Sequence, residues 1–318
     1  MLALDDLIVY HRGDFRPYGD ARIGLMTHAF LYGTACFEGI RAFWNPDREQ
    51  LYVFEPTAHY KRLGESAKFL LMSLPGSPDE LNKITAELCR RNGFRSDVYI
   101  RPVVFKSEET FGVRLDDLEH DFFIVAFPNS KYLESNEGLD ACVSSWRRTD
   151  DNALPARSKI NGSYVNSALA KSEARAHGFD EAIVLSADGH VSESSAANLF
   201  VVRDGVVSTP DVSNNILEGV TRRIVKTILE REVGVRVVER AIDRTELYSA
   251  DEIILCGTGV GIAWLRSLDR RTIGDGLMGS ITDIVTETYH AITRGRALRD
   301  DIELHAVYAL RQAQETFA

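Results

Sequence analysis

Between residues 164 and 177 the apolar positions Val165, Ala168, Leu169 and Ala176 recur at roughly helical spacing, which predicts a helix there. Asn161-Gly162-Ser163 stands in front of it and offers turn and capping side chains. Gly178 follows where a helix wants a left-handed stop. The pattern then changes period. Residues 181–186 read as a strand, Asp188-Gly189 as a two-residue hairpin turn, and a return strand carries Val191 and Glu193. Residues 198–202 form a further strand, so the stretch 157–198 predicts short, stiff elements joined by tight turns.

The same reading organises the rest of the chain. In the first part it predicts a strand over 7–10, a turn at Arg12-Gly13-Asp14, a packed aromatic region over 27–43, and a strand over 51–54. Pro56 opens a helix to about residue 71, and a second helix spans 78–91. A strand covers 98–105, and the nearly continuous apolar run 121–127 reads as a buried strand ended by Pro128. Beyond it, Asp204-Gly205 is a second hairpin turn before a strand over 206–209. A helix runs from about 220 through 232, a strand covers 235–239, and a short capped helix covers 245–249. A strand over 252–256 runs into Gly257-Thr258-Gly259, and the last long helix spans 280–295 after a glycine-rich turn at 273–279. The expectation is a mixed α/β (α+β) chain of two domains, 1–127 and 141–318, with 128–140 as linker.

Composition narrows the class. With 318 residues, 44% of them hydrophobic, the chain can bury a substantial core. A net charge of -10 argues against nucleic acid or an anionic membrane as partner, because phosphate neutralisation needs clustered Lys and Arg. The cysteines at 36, 89, 142 and 256 form no CxxC pair, so neither a zinc site nor a disulfide framework is expected, and a reducing cytoplasm fits. Residues 1–15 carry early acids and no long apolar run, so no signal peptide is expected. No stretch reaches the roughly 18 apolar residues of a membrane span.

Two local features carry chemistry on their own terms. Gly219-Val220-Thr221 opens a helix, where free backbone N–H groups bind anions and glycine lets a ligand approach. Tyr99 and Arg101 alternate on a strand and therefore share one face. Together with SKINGSYVNS (158–167), YGTACFEGIR (32–41), YKRLGESAK (60–68) and VYIRPVVF (98–105), these motifs resemble the fold-type IV aminotransferases, which use pyridoxal 5′-phosphate (PLP), and in particular the branched-chain amino-acid aminotransferases. The resemblance covers nearly the whole chain.

The resemblance implies a role for each motif. Lys159 would form the Schiff base with the cofactor and shuttle the proton. Glu193 would sit beside the ring nitrogen and Tyr164 beside O3′. Arg62, Thr221 and Thr258 would hold the phosphate, with Leu217, Gly219 and Val220 at the helix start. Tyr32, Phe37, Gly39, Arg41, Tyr99, Arg101, Tyr132, Gly257, Thr258 and Gly259 would line the substrate site, with Val260 on its apolar side. It further implies a smaller N-terminal α+β sandwich domain, a larger C-terminal pseudo-barrel domain with PLP in the cleft between them, a homodimer, no metal, and ping-pong exchange between amino acids and 2-oxo acids. Three stretches depart from the branched-chain pattern: Gly259-Val260-Gly261 where relatives carry small residues and Glu, PNSKY in the linker, and Ser194 to Ala197 after Glu193. These leave open D-amino acids, (R)-primary amines or another keto acid as substrates, and a lyase on the same scaffold. A non-catalytic binding protein is disfavoured by the joint retention of Lys159 and Glu193.

Overall fold

The computed structural model describes residues 4–129 and 137–309. Its first part alternates short strands with three helices: β1 (Ile8–His11), β2 (Asp14–Pro17), α1 (His28–Tyr32), β3 (Ala35–Phe37), β4 (Ile40–Asn45), β5 (Gln50–Phe54), α2 (Pro56–Phe69), α3 (Pro78–Arg91), β6 (Val98–Lys106) and β7 (His120–Pro128). Local chemistry sets these bounds. α3 begins at a capping box between Ser77 and Glu80, has Pro78 in its first turn, and ends on Arg90 and Arg91, which complement the helix dipole. Leu81, Leu88 and Cys89 of α3 and Tyr60 and Leu63 of α2 pack onto Ile40, Leu51, Val53, Val98, Ile100 and Val104. One face of the sheet is thereby covered by helices. The strand period of two sends Tyr99, Arg101, Val103 and Phe105 to the other face.

The second part contains β8 (Leu139–Arg147), α4 (Tyr164–Ala176), β9 (Glu181–Leu185), β10 (Val191–Ser194), β11 (Asn198–Arg203), β12 (Val206–Thr209), α5 (Val220–Ile228), β13 (Val237–Glu239), β14 (Glu252–Gly257), β15 (Gly261–Leu268), β16 (Arg271–Thr272) and α6 (Ser280–Thr293). A last strand, β17 (Leu304–Ala306), returns to pair with β5. The first sheet therefore runs β17-β5-β4-β6-β7-β1-β2 with β3 beside β6, and the second runs β10-β9-β8-β15-β14-β11-β12-β13 with β16 beside β15. An apolar cluster joins the two: Phe43 and Phe54 of the first sheet pack with Phe200, Ile224, Ile254 and Tyr289 of the second part.

Some elements differ from expectation. The aromatic region 27–43 resolves into α1, stopped by Gly33 in the left-handed conformation, followed by β3 and β4. The helix expected through 232 ends its α-helical part at Ile228 and finishes in a π-helical turn, Leu229–Val233, closed by left-handed Gly234. The strand expected over 235–239 is confined to Val237–Glu239.

Candidate active site

Lys159, which precedes α4, is anchored through its backbone to the first part of the chain. Its backbone N–H donates to Ser66 Oγ on α2 (3.0 Å), its carbonyl accepts from Phe37 N on β3 (3.0 Å), and Ile160 bridges to Cys36. The Asn161–Ser163 turn then leads straight into α4, so Tyr164 comes round to face the lysine: Lys159 Nζ lies 2.5 Å from Tyr164 Oη. The turn fits only because two glycines meet. A Cβ on Gly33, whose φ is 70°, would lie 2.9 Å from Gly162 Cα. Among the described residues no carboxylate pairs with the Lys159 ammonium, and its charge faces the rings of Phe37 (4.8 Å) and Tyr164 (5.0 Å).

A narrow cavity lies beside this pair, lined by Arg62, Tyr164, Glu193, Leu217, Thr221 and Thr258 among others. Glu193 is buried on β10, at a point where the pairing with β9 shifts register; such an irregularity re-aims a side chain. Its Oε2 accepts from Asn198 Nδ2 and from Leu217 N, each at 3.0 Å, and its Oε1 pairs with Arg148 at 2.8 Å. α5 starts at the same cavity. Gly219 is its N-cap and no side chain caps it, so the first N–H groups have no side-chain acceptor from that position. A Cβ on Gly219 would lie 2.1 Å from Asn198 Oδ1, so glycine is what allows Asn198 to reach both Glu193 and the Leu217 carbonyl. Arg62, on α2, spans to this helix start through Nη1, which donates to the Glu218 carbonyl (2.9 Å).

A larger cavity of about 650 Å³ adjoins it; Tyr164, Ser167, Ser195, Ala196 and Thr258 line both. Its other wall is the free face of the first sheet: Phe37, Gly39, Tyr99, Arg101 and Phe127, with Lys159 at the junction. Arg101 Nη2 donates to Tyr99 Oη (2.7 Å), and the guanidinium stacks 4.2 Å from the Phe37 ring centroid. Among the described residues no carboxylate pairs with Arg101, and its buried Nε has no acceptor. A cation so placed is an anion-recognition group. Gly39 is required here as well, since a Cβ would come within 2.3 Å of Tyr99 Oη.

The remaining expected residues divide: Gly257 lines the narrow cavity and Gly259 the larger one, and the others fall elsewhere. Arg41 does not line either cavity. It is buried over Phe43, donates to the Asn129 carbonyl (3.2 Å) and lies 3.7 Å from Asp97, so it holds the start of the segment after β7. Tyr32 lies away from both cavities on α1, where its hydroxyl accepts from Gly112 N (3.1 Å) and its ring faces Phe111. Tyr132 lies outside the described residues. Gly257 pairs with Gly261 at the end of the β14–β15 hairpin, Gly261 is left-handed (φ 69°), and Gly259 lines the larger cavity. Val260 packs on the second part's core rather than on either cavity. The Gly259-Val260-Gly261 stretch thus runs from the hairpin turn (258–260) into the first residue of β15. Arg148, Asn198, Glu38 and His59 had no local signal in the sequence, because each acts through a partner on another element.

The family model for class IV amino-transferases matches residues 35–268. The chain is 44% identical over 299 residues to a probable branched-chain-amino-acid aminotransferase of Aquifex aeolicus (strain VF5), covering 94% of this chain and 96% of that one. It superposes on the branched-chain aminotransferase of Thermoproteus uzoniensis, solved with norvaline, with a TM-score of 0.89 and 39% identity over 95% of this chain and 99% of that one. The branched-chain amino acid aminotransferase of Thermobaculum terrenum, solved in its PLP form, gives a TM-score of 0.89 at 34% identity, covering 96% of this chain and 100% of that one. With the matching model spanning most of the sequence and relatives aligned nearly end to end, this chain belongs to the class IV aminotransferases.

Proposed function

We propose that the chain is a PLP-dependent transaminase moving the amino group between branched-chain L-amino acids and 2-oxoglutarate. The observation that carries this reading is the Lys159–Tyr164 pair at the junction of two cavities, one ending at a helix start with no side-chain cap and the other holding an arginine without a carboxylate partner among the described residues.

The donor set fits the cofactor. Arg62, the first N–H groups of α5 and the hydroxyls of Thr221 and Thr258 would hold its phosphate, in a cradle that a side chain at Gly219 would fill. Glu193, anchored on three sides, would present a negative charge to the ring nitrogen and keep it protonated. Tyr164 Oη would lie by the ring hydroxyl. When bound, PLP supplies an electrophilic carbon for an amine and a ring that accepts the electron pair left by the substrate Cα–H bond. Lys159 Nζ, poised by Tyr164 Oη and facing no carboxylate among the described residues, takes the substrate α-proton and returns one on the way to product. The larger cavity serves both substrates in turn. Its aromatic wall, Phe37, Tyr99 and Phe127, suits an aliphatic side chain, and the Arg101 guanidinium on the same wall suits the second carboxylate of a dicarboxylic acid. The turn at 257–259 is left to receive the carboxylate that all substrates share.

A second copy of the chain is the expected partner. Leu25 (82% exposed), Phe30, Phe111 (84%) and Val113 are exposed apolar side chains, and Phe111 faces Tyr32. In a homodimer these side chains would be covered. The four free, buried cysteines support a cytoplasmic location, and among the described residues no helix is long and apolar enough to cross a membrane.

The test is a half-reaction followed by the absorbance of bound PLP. L-leucine, L-valine and L-glutamate are expected to change the spectrum quickly, and D-alanine and an (R)-arylamine slowly or not at all. A fast change with D-alanine or the amine alone overturns the branched-chain assignment.

A further inference from the structure

Arg62 is not a free cation. Its Nε donates to Glu38 Oε1 (2.6 Å) and its Nη2 to Glu38 Oε2 (2.9 Å), a two-pronged pair with a carboxylate that is 0% exposed. Glu38 sits in the short connection between β3 and β4, where its backbone N–H donates to the Pro102 carbonyl (2.9 Å). Its Oε2 also accepts from Gly39 N (3.2 Å) and lies 2.8 Å from His59 Nδ1. His59 and Arg62 are three positions apart on α2, on one face of the helix, so both address the same carboxylate. His59 is buried too.

A carboxylate placed out of reach of water is costly unless nearly every lone pair is used, and here they are. Burial alone would raise the Glu38 pKa, but Arg62 and His59 hold it far below the usual carboxylate range. Burial lowers that of His59, so the imidazole is neutral at neutral pH and donates from Nδ1 to Glu38. The arginine, with five N–H bonds, spends two on Glu38 and one on the Glu218 carbonyl. Two remain, one on each Nη nitrogen, beside the start of α5.

The structure assigns Glu38 and His59 as a positioning pair: Glu38 fixes the plane of the Arg62 guanidinium so that its remaining N–H bonds meet a phosphate group, and His59 fixes Glu38. The assignment rests on the reading of the narrow cavity as the PLP site. Neither residue touches the ligand. The pair acts on the phosphate end alone, and it offsets the charge that would otherwise leave Arg62 repelled by the positive end of α5.

The experiment titrates apo-protein with PLP and, separately, with pyridoxal, which has the same ring and aldehyde but no phosphate, following bound-ligand absorbance. Glu38→Gln is expected to weaken PLP binding about 10- to 100-fold, the range seen when a supporting partner is removed from a ligand-holding group, with pyridoxal binding changed less than about threefold. His59→Leu should weaken PLP about three- to tenfold, and His59→Asn, which keeps a donor near Nδ1, should restore most of it. Equal weakening of PLP and pyridoxal overturns the assignment in favour of a general structural role. Unchanged or tighter PLP binding in Glu38→Gln also overturns it, since the carboxylate would then only oppose the phosphate. If Glu38→Gln does not fold, the two His59 variants decide the matter by the same comparison. If the unaltered protein binds no PLP, the functional reading fails, whereas normal binding by it and by both variants sinks this inference alone.

Discussion

The two cavities meet at Tyr164 and Thr258, yet their polar groups are arranged in opposite ways. In the narrow one the charged groups are already paired: Arg62 with Glu38, and Glu193 with Arg148, Asn198 and the Leu217 amide. In the larger one Lys171 pairs with Glu181, but Arg101 has no carboxylate partner among the described residues: it meets the Tyr99 phenol and the Phe37 ring, and its buried Nε has no acceptor there. The first pattern is that of a site whose occupant stays, where rigid orientation lowers the cost of binding. The second suits occupants that come and go with different charge. An arginine locked to a protein carboxylate could not serve an aliphatic and a dicarboxylic substrate in turn.

The contrast breaks most severely at the junction. Lys159→Ala should lower the transamination rate by at least the 10²–10⁴-fold typical of a general acid–base group, on the order of 10⁴ when the lost covalent role is added, measured as single-turnover rate. Arg101→Leu should sharpen it. Losing a charged hydrogen bond costs about 1.5–3 kcal/mol, so KM for 2-oxoglutarate should rise about 10- to 100-fold while KM for leucine stays within about threefold. An equal rise for both would mean that Arg101 reads the carboxylate that all substrates share. Gly39→Ala drives a methyl to 2.3 Å from Tyr99 Oη and should cost about 1–3 kcal/mol in a urea titration while weakening dicarboxylate binding. The smallest effect is on pH. Burial lowers the His59 pKa below its ordinary 6.5, so between the two values the unfolded chain binds a proton that the folded one does not. Stability should fall as pH drops through about 6.5, and His59→Asn should flatten that slope.

Legibility in the sequence followed the range of the interaction. The start of α3 could be read because Pro78 marks a first helical turn, and the hairpin before β10 because Asp188 and Gly189 are adjacent. Lys159 and Tyr164 could be read together because five positions and one tight turn separate them. The segment 27–43 could not be divided, because β3 and β4 are short and buried nearly throughout, leaving no alternation to count. Arg41 and Tyr99 are register partners on adjacent strands, but only packing against Phe43 and Asn129 turns the arginine away from the cavity. Arg148 reaches Glu193, and Glu38 reaches Arg62, from elements that only the tertiary fold brings together.

The return of β17 to the first sheet has a consequence for synthesis. Gln50 at that edge bonds Tyr308 through both its amide and its carbonyl, across 258 positions of chain. While the ribosome is still translating the second half, β5 is an open edge with unmet N–H and C=O groups, the kind of surface that pairs with other nascent chains. The amino-terminal half therefore emerges first and is finished last. Protease challenge should find it sensitive in ribosome-stalled chains and protected once the chain, with residues 304–308, is released.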